Sequence, residues 1–211
     1  RGDLVAFTDD DVIPTPSWVQ QLVRAFEEHQ ADVVGGRILP FWLQPPPAWL
    51  ERQEEFQGIL AILDRGPKPI VATLQDAYYV YGSNMALRAS VYDEIGAYRT
   101  DLGPTGRRLW RGDDTDFVLR AFHAGKRIVY VPDAVVHHKV PAERMRLSYF
   151  RRWKFESGRQ KALFEPGPML PRWLVRQCGE HLLHSLWAYG RGRTEQAVHH
   201  DLAFWKDLGQ L

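Results

Sequence analysis

The chain has 211 residues, of which 45% are hydrophobic and 25% charged, with a formal net charge of +1 and one cysteine. This composition is typical of a globular domain, with or without an appendage, and excludes collagen-like, coiled-coil and disordered chains. No apolar run reaches the roughly 18–20 residues of a membrane span. Charge is segregated: residues 1–64 carry a net −7 and residues 139–176 a net +7. We interpret this as a cation-binding end and an anion-facing end, the alternative being solvated faces.

Strand and helix patterns alternate along the first two thirds of the chain, which predicts an α/β core. The first strand is short, apolar and bounded by acids, like a buried parallel strand, so we expect the chain to begin within a domain. The predicted elements are a strand at 4–8, a helix at 16–28, a strand at 33–39, a proline-rich loop at 40–47, a helix at 49–63, an extended segment at 82–88, a helix at 90–95, a helix at 113–124, and two short strands at 127–131 and 134–138.

From residue 142 the pattern becomes helical. The segment 142–163 is predicted to be an amphipathic helix with aromatic residues on one face and arginines on the other. It either packs on the core or contacts an anionic membrane surface. No nucleic-acid motif accompanies its charge, so a nucleic-acid partner is not expected. Two more helices, near 172–189 and 194–208, complete a predicted helical extension at 142–211, after a core at 1–141.

Three consecutive acids, Asp9, Asp10 and Asp11, follow the first predicted strand. In extended backbone, residues two apart point to the same side, so Asp9 and Asp11 are predicted to face one ligand. Carboxylates are the ligands that Mg²⁺ or Mn²⁺ prefers, usually shared with substrate phosphates. The alternative is stabilisation by the dipole of the next helix, which is predicted to begin only at about Pro16. We therefore expect a divalent metal site at this acid triplet.

A second acid cluster, with Asp113, Asp114 and Asp116, opens a predicted helix after a glycine-rich loop at 97–112. Acids at a helix start are favoured by the helix dipole, which would explain them structurally. Crowded carboxylates also raise one another's pKa, and a general base must be protonatable near neutral pH. The functional hypothesis is therefore a general base in this cluster.

Two weaker features complete the set. Gly82, Ser83 and Asn84 are small residues at the start of an extended segment, where a ligand can approach the backbone. His137 and His138 lie on the last predicted strand, and alternation allows only one of them to face a given site. A neutral imidazole there could complete a metal shell; the alternative is a hydrogen-bonded core histidine.

Taken in order, these motifs resemble family-2 glycosyltransferases with the GT-A fold. The matching text is Leu-Val-Ala-Phe-Thr-Asp-Asp-Asp-Val-Ile-Pro-Thr-Pro-Ser-Trp (4–18), Gly-Ser-Asn-Met-Ala-Leu-Arg (82–88), Ile-Gly-Ala-Tyr (95–98), Gly-Asp-Asp-Thr-Asp-Phe (112–117) and Ala-Gly-Lys-Arg-Ile-Val-Tyr-Val-Pro-Asp-Ala-Val-Val-His-His (124–138). Each motif is weak alone, but their order and spacing are specific. The resemblance implies a partial GT-A core, with a Rossmann-like mixed sheet and flanking helices, followed by a helical extension.

The resemblance also implies residue roles. The acid triplet matches the D-x-D motif of the family, in which Asp11 would hold Mg²⁺ or Mn²⁺ and the donor diphosphate, with Asp9 near the donor sugar or ribose. His138 matches a histidine that approaches the metal. Asp113 and Asp114 match an acidic pair whose first member is usually Glu, and Asp114 takes the position of the catalytic base. Gly82, Ser83 and Asn84 would border the acceptor.

The implied reaction is inverting, metal-dependent transfer of a sugar from a nucleotide-diphosphate sugar to an acceptor hydroxyl. The resemblance suggests bacterial surface-glycan or glycolipid synthesis in the cytoplasm. The basic residues of the helix at 142–163 favour contact with the inner face of the plasma membrane and a glycan or lipid-linked acceptor. The loop at 103–112 would close over the donor and exclude water.

Two departures from the family pattern matter. Processive synthases often carry Q-x-x-R-W, whereas this chain has Tyr-Phe-Arg-Arg-Trp at 149–153. Arg152 and Trp153 remain acceptor-binding candidates, and the missing Gln favours transfer of a single sugar. The first strands and helices, which bind the nucleobase in the family, are absent from this sequence, so we expect this chain to bind donor weakly or not at all. The alternatives are a non-catalytic module that binds carbohydrate, metal or a membrane, and a glycoside hydrolase with two carboxylates.

Overall fold

The computed structural model describes residues 2–51, 54–74, 80–103, 109–164 and 170–211. They fall into two units. The first comprises Arg1–Leu43, Leu60–Gly103 and Gly112–Val140, and the second comprises Gln44–Ile59, Pro104–Arg111 and Pro141–Leu211. Residues 44–59 and 109–111 thus belong to the second unit, whereas the sequence-based division places them in the core.

The first unit is built on a six-stranded mixed sheet. Its strands are β1 (Leu4–Thr8), β2 (Val12–Pro14), β3 (Val33–Trp42), β4 (Ile70–Val71), β5 (Asn84–Arg88) and β6 (Ile128–Val140). The order is β1-β5-β3-β6-β2, with β4 also pairing with β6. Among the strands that the structure describes, only β3 and β6 run parallel, and the other pairs are antiparallel. The predicted α/β class with a mixed sheet is confirmed.

Helices cover this sheet and make up most of the second unit. They are α1 (Trp18–Glu28), α2 (Ala48–Glu51), α3 (Ala89–Ile95), α4 (Asp113–His123), α5 (Leu147–Phe164), α6 (Arg172–Gly190) and α7 (Thr194–Gln210), with 3₁₀ helices at Glu54–Leu60 and Ala142–Met145. One core cluster of the sheet is filled from α1, where Trp18, Leu22 and Phe26 are buried. The other is filled from α4, where Phe117 and Val118 are fully buried.

An irregularity where β3 passes β6 shapes the sheet. The register shifts between Gly36 and Arg37, and the side-chain amide of Asn84 donates to Arg37 O and Ala134 O, both at 2.8 Å. A Cβ on Gly36 would lie 2.2 Å from Ala134 O, so a glycine is required there. Because the bulge is bridged, β6 is one strand of 13 residues. The prediction of two short strands here is therefore wrong.

Three other predicted elements differ from the structure. β1 is only partly buried and pairs antiparallel with β5, so the parallel, buried interpretation of residues 4–8 is wrong. β3 continues through Pro40, which aligns with His138 of β6, into the segment predicted as a loop. The helix predicted over 49–63 is replaced by α2 and a 3₁₀ helix that contains Gly58, a poor helix former.

In the second unit, α5 and α6 both pack against α7. Phe150 of α5 is fully buried. The centre of its ring lies 5.0 Å from the ring centre of Trp49 and 6.0 Å from that of Phe56. A Cβ on Gly158 would lie 2.0 Å from a backbone oxygen of α7, and one on Gly209 would lie 2.1 Å from a backbone oxygen of α5. The two glycines therefore let these helices approach backbone to backbone, and the aromatic face predicted for this segment is used in packing.

Candidate active site

Strand register brings the first acid of the triplet beside the segment at 82–84. Thr8 of β1 is paired with Asn84 of β5, so Asp9 and Ser83 leave the sheet next to each other at the same edge. The neighbouring Gly82 donates its backbone N–H to Asp114 Oδ2 at 2.9 Å. The structure thus brings together residues from three separate sequence motifs: the end of β1, the turn before β5 and the start of α4.

A glycine before α4 and an arginine within it position this helix. Gly112 precedes it with φ +104°, a conformation that glycine adopts readily. Asp116 accepts a hydrogen bond from Arg120 Nε at 2.8 Å. Arg120 also donates to Ile95 O at 2.5 Å and Ala97 O at 2.9 Å, which ties α4 to the end of α3. Sequence reasoning missed Arg120, although its spacing of four residues from Asp116 on a predicted helix was the available signal.

The carboxyl group of Asp114 is electrostatically perturbed. Loss of hydration on burial is the largest cause and raises the pKa of Asp114 to about 6. The hydrogen bond from Gly82 opposes this, because it stabilises the ionised form, whereas the charges of Asp113 and Asp9 raise the pKa further. A carboxyl group that titrates near neutral pH can accept a proton in one step and release it in the next, as a general base requires.

Both acids of the pair lie against glycine backbone. A Cβ on Gly82 would lie 2.6 Å from Asp114 Oδ1, and a Cβ on Gly103, which has φ +86°, would lie 2.8 Å from Asp113 Oδ2. Sequence analysis explains Gly82 by the approach of a ligand to the backbone. In the structure, the group that approaches Gly82 is the carboxylate of Asp114.

The last acid of the triplet meets the last core strand. Asp10 and Asp11 lie in a turn between β1 and β2, so the extended arrangement predicted for these acids is wrong. Lys139 donates its backbone N–H to Asp11 O at 2.9 Å, and Asp11 Oδ2 lies 3.3 Å from His138 Nε2. His138 is buried and His137 half-exposed, as the predicted alternation requires. Asp11 and His138 are therefore the pair of potential metal ligands that the fold assembles.

This pair suits a divalent cation in part. Among the described residues, no group of three or more His, Cys, Asp or Glu side chains is close enough to share an ion. Mg²⁺ commonly takes one or two carboxylates and completes its shell with water and substrate phosphates. One carboxylate and one imidazole, as in Asp11 and His138, fit such a partly protein-built site. Asp10 is exposed and Asp9 lies at the other end of the turn, toward Asp114.

The predicted acceptor residues Ser83 and Asn84 are buried. Besides its two bonds across the bulge, the Asn84 side chain accepts a hydrogen bond from Trp18 Nε1 at 2.8 Å, so its amide is engaged in holding the sheet. The Ser83 hydroxyl has no hydrogen-bond partner among the described residues. A contact of either side chain with an acceptor stays a prediction.

Arg152 and Trp153, the other predicted acceptor residues, lie on α5 in the second unit. Arg152 is exposed. The guanidinium of Arg111 lies 3.3 Å from the centre of the Trp153 ring. The side-chain amide of Gln160 accepts a hydrogen bond from the backbone N–H of Arg111 and donates one to its backbone oxygen. One face of the Trp153 ring is thus covered by the Arg111 guanidinium, and a contact of Trp153 with an acceptor stays a prediction.

Residues 104–108 of the proposed closing loop lie outside the described residues.

Tyr98 is a site residue that sequence reasoning named only as part of a motif. Its ring stacks on Phe117, with centres 4.6 Å apart and planes 13° apart. Its hydroxyl is buried and has no hydrogen-bond partner in the part of the chain that the structure describes. Burial, followed by the charges of Asp114 and Asp113, raises the pKa of Tyr98. A neutral hydroxyl donor therefore lies close to the acidic pair.

The fold and this site define an α/β protein with acids at the end of β1 and at the start of α4. The sequence matches the family described as "Glycosyltransferase like family 2" over residues 1–155. The chain therefore belongs to glycosyltransferase family 2, as the sequence motifs indicate.

Three known proteins are similar in sequence to part of this chain. The chain is 30% identical over 141 residues to the glucosyl-dolichyl phosphate glucuronosyltransferase of Haloferax volcanii. The matched segment covers 66% of this chain and 44% of the relative. The chain is 28% identical over 158 residues to the succinoglycan biosynthesis protein ExoM of Rhizobium meliloti, covering 74% and 46%. It is 26% identical over 137 residues to the pre-mycofactocin glycosyltransferase of Mycobacterium tuberculosis, covering 64% and 27%. The chain thus spans less than half the length of these relatives.

Proposed function

We propose that this chain forms the catalytic part of an inverting glycosyltransferase, in which Asp114 is the general base. The observation that carries this proposal is the carboxyl group of Asp114, with a pKa raised to about 6 and an orientation set by the Gly82 N–H. In a direct displacement, Asp114 takes the proton of the acceptor hydroxyl while that oxygen attacks the anomeric carbon of the donor. Attack opposite the leaving group inverts the configuration at that carbon.

The donor is proposed to be a nucleotide-diphosphate sugar bound at the acid triplet. A bound Mg²⁺ or Mn²⁺ would offset the negative charge that develops on the leaving diphosphate. Asp11 and His138 would hold this cation from the turn and from β6, and the 3.3 Å between their side chains supports a shared ligand. Asp9 lies on the Asp114 side of the turn, which suits a contact with the donor sugar.

The acceptor is proposed to be a hydroxyl of a glycan or of a lipid-linked sugar. The names of two relatives support these classes, since one acts on glucosyl-dolichyl phosphate and another is a succinoglycan biosynthesis protein. The Gln missing from the segment at 149–153 favours transfer of one sugar at a time. We place this reaction in surface-glycan or glycolipid synthesis, on the cytoplasmic side of the plasma membrane. The matched relatives that are named by activity are transferases, which favours transfer over glycoside hydrolysis.

The test measures nucleoside diphosphate released by the intact protein from a panel of nucleotide sugars, with and without acceptor. Asp114→Asn should lower transfer by at least about a hundredfold, the contribution of a positioned base. Asp133→Asn, which removes an exposed acid of the same unit, is the matched control and should keep normal rates. Normal transfer by Asp114→Asn would overturn the base assignment.

The metal is tested separately. Chelation should abolish transfer, and added Mn²⁺ or Mg²⁺ should restore it. Asp11→Ala should raise the metal concentration needed for half-maximal rate while the protein stays folded by circular dichroism. Full activity in the presence of chelator, in protein that metal analysis shows to be free of metal, would refute the metal requirement. The configuration of the product, read by NMR, decides between inversion and retention.

A further inference from the structure

Helix α6 has a buried stripe and, beginning about a quarter turn away, an exposed stripe of large apolar residues. The inner stripe is buried and consists of Leu174, Cys178, Ser185 and Ala188. Ser185 Oγ in this stripe donates to Ala197 O of α7 at 3.1 Å, which places α7 on this side of the helix. The outer stripe is made of large, exposed apolar residues: Val175, Leu182, Leu183, Leu186 and Tyr189.

The outer stripe is continuous along the helix. Positions 175, 182, 186 and 189 follow one another at intervals of seven, four and three residues, which lie on one side of an α-helix, and Leu183 lies next to position 186 around the helix. Leu183 is 67% exposed and Leu186 is 60% exposed. Scattered exposed leucines need no explanation, but a contiguous apolar patch on one helix face indicates a docking surface.

The charges around the outer stripe are positive. Arg172 and Arg176 lie in the first turns of α6, and Arg191 and Arg193 follow its last residue. Glu180 is the one acid in the helix sequence and pairs with Arg176 Nε at 2.7 Å, so the net positive charge comes from Arg172, Arg191 and Arg193. Basic groups at both ends of an apolar stripe are complementary to a partner that is apolar in its interior and anionic at its surface.

Two exposed tryptophans lie near the ends of α6, on its exposed side beyond Leu183. Trp173 lies near the start of α6 and is 61% exposed. Trp187 lies near its end, with the guanidinium carbons of Arg191 and Arg193 at 4.5 and 5.1 Å from its ring centre. Tryptophan and arginine at the ends with leucine between them is typical of helices that lie in the interface of a bilayer. No helix in the described ranges is long and apolar enough to cross a membrane.

We propose that α6 binds the surface of an anionic phospholipid bilayer. The helix lies in the plane of the interface, with the outer stripe among the upper acyl chains and its flanking arginines at the lipid phosphates. Its 19 residues span about 28 Å of that plane. The sequence left open whether the segment at 142–163 packs on the core or contacts a membrane, and Phe150 of that segment is buried in packing, so we assign the apolar insertion to α6.

This inference does not depend on sugar transfer, because lipid binding is measured without donor or acceptor. The intact protein is floated with vesicles of phosphatidylcholine alone or with about 30% phosphatidylglycerol, an anionic lipid content that gives a clear surface potential. We expect flotation with the anionic vesicles, and much less with the neutral ones. The double variant Leu183→Glu/Leu186→Glu should lower the partition coefficient by at least about tenfold, since it places charge in the inserted stripe.

Val19→Glu is the matched control, because Val19 is also an exposed apolar helix residue, at 62%, and lies on α1 in the first unit. It should float like the wild type. The double variant Arg191→Gln/Arg193→Gln should weaken binding to anionic vesicles by about fivefold per arginine, the factor that corresponds to ~1 kcal/mol per basic residue at such a surface. Binding to neutral vesicles should change little in that variant.

Three results would overturn the proposal. One is an absence of flotation with anionic vesicles, and another is equal flotation of the wild type and Leu183→Glu/Leu186→Glu. The third is a wild-type dimer in light scattering that the same double variant makes monomeric, without flotation of either form. That last result would assign the outer stripe to an interface between two copies of the chain. The four substituted positions on and beside α6 are all exposed, and circular dichroism checks that each variant is folded.

Discussion

Replacing Asp114 by Asn should abolish sugar transfer and at the same time stabilise the protein. The carboxyl group of Asp114 ionises in the unfolded chain at a pKa of 3.8 and in the folded protein at about 6. A folded pKa above the unfolded one means that the ionised form opposes folding. The stability that this group provides is complete below pH 3.8 and is lost as the pH rises through about 6.

The magnitude follows from the pKa shift. A difference of about two units, at 1.36 kcal/mol per unit, amounts to about 3 kcal/mol at full ionisation. Asn cannot ionise, and its side-chain oxygen can still accept the Gly82 N–H. We therefore expect Asp114→Asn to raise the free energy of unfolding by about 3 kcal/mol at pH 8 and by about 1.5 kcal/mol at pH 5.

Urea denaturation at the two pH values measures this gain. Asp133→Asn serves again as the control, and removal of its exposed charge should change the free energy of unfolding by less than about 0.5 kcal/mol at either pH. A gain for Asp114→Asn that is equal at pH 5 and pH 8, or a loss of stability at pH 8, would refute the burial cost assigned to this carboxylate. A stable but inactive variant would agree with an acid kept for chemistry at the expense of stability.

Four further substitutions test the packing around the site and in the second unit. Gly82→Ala places a Cβ 2.6 Å from Asp114 Oδ1. Sugar transfer should therefore fall sharply in the rate assay, and the free energy of unfolding should fall by about 1–3 kcal/mol. Asn84→Ala removes three buried hydrogen bonds and should cost about 3 kcal/mol in urea denaturation. Tyr98→Phe removes a buried hydroxyl that has no partner among the described residues, and should raise the free energy of unfolding by about 1 kcal/mol, whereas a loss would reveal a bond. Phe150→Ala should destabilise the second unit by about 3–5 kcal/mol, and a loss below about 1 kcal/mol would contradict its role in the core.

Local sequence patterns were sufficient for most elements of this protein. The helix predicted at 113–124 is observed as Asp113–His123, and the last two helices begin at Arg172 and Thr194, where they were predicted. These segments have a clear apolar period, and glycine or proline residues bound them. The motifs were also sufficient to identify the family, which the comparison with known sequences confirms.

Pairing and burial could not be derived in this way, because they depend on residues far apart in the chain. The apolar run in β1 does not say whether its neighbour is parallel, and the structure makes it antiparallel to β5. The Asn84 amide, about 50 residues away, bridges the bulge in β6, and residues 128–140 form one strand instead of two. The two stripes of α6 are both apolar in sequence, and only packing against α7 decides which one is covered.

The same division holds for the site. The sequence by itself determined the chemistry that is present: a triplet of acids after a strand, an acidic pair at a helix start and a histidine on the last core strand. Only the tertiary structure decided their partners, joining Asp114 to the Gly82 N–H and Asp11 to His138. The physical reason is that residue type fixes which protons and charges a side chain can carry, whereas its pKa depends on the neighbours and the loss of water that folding imposes.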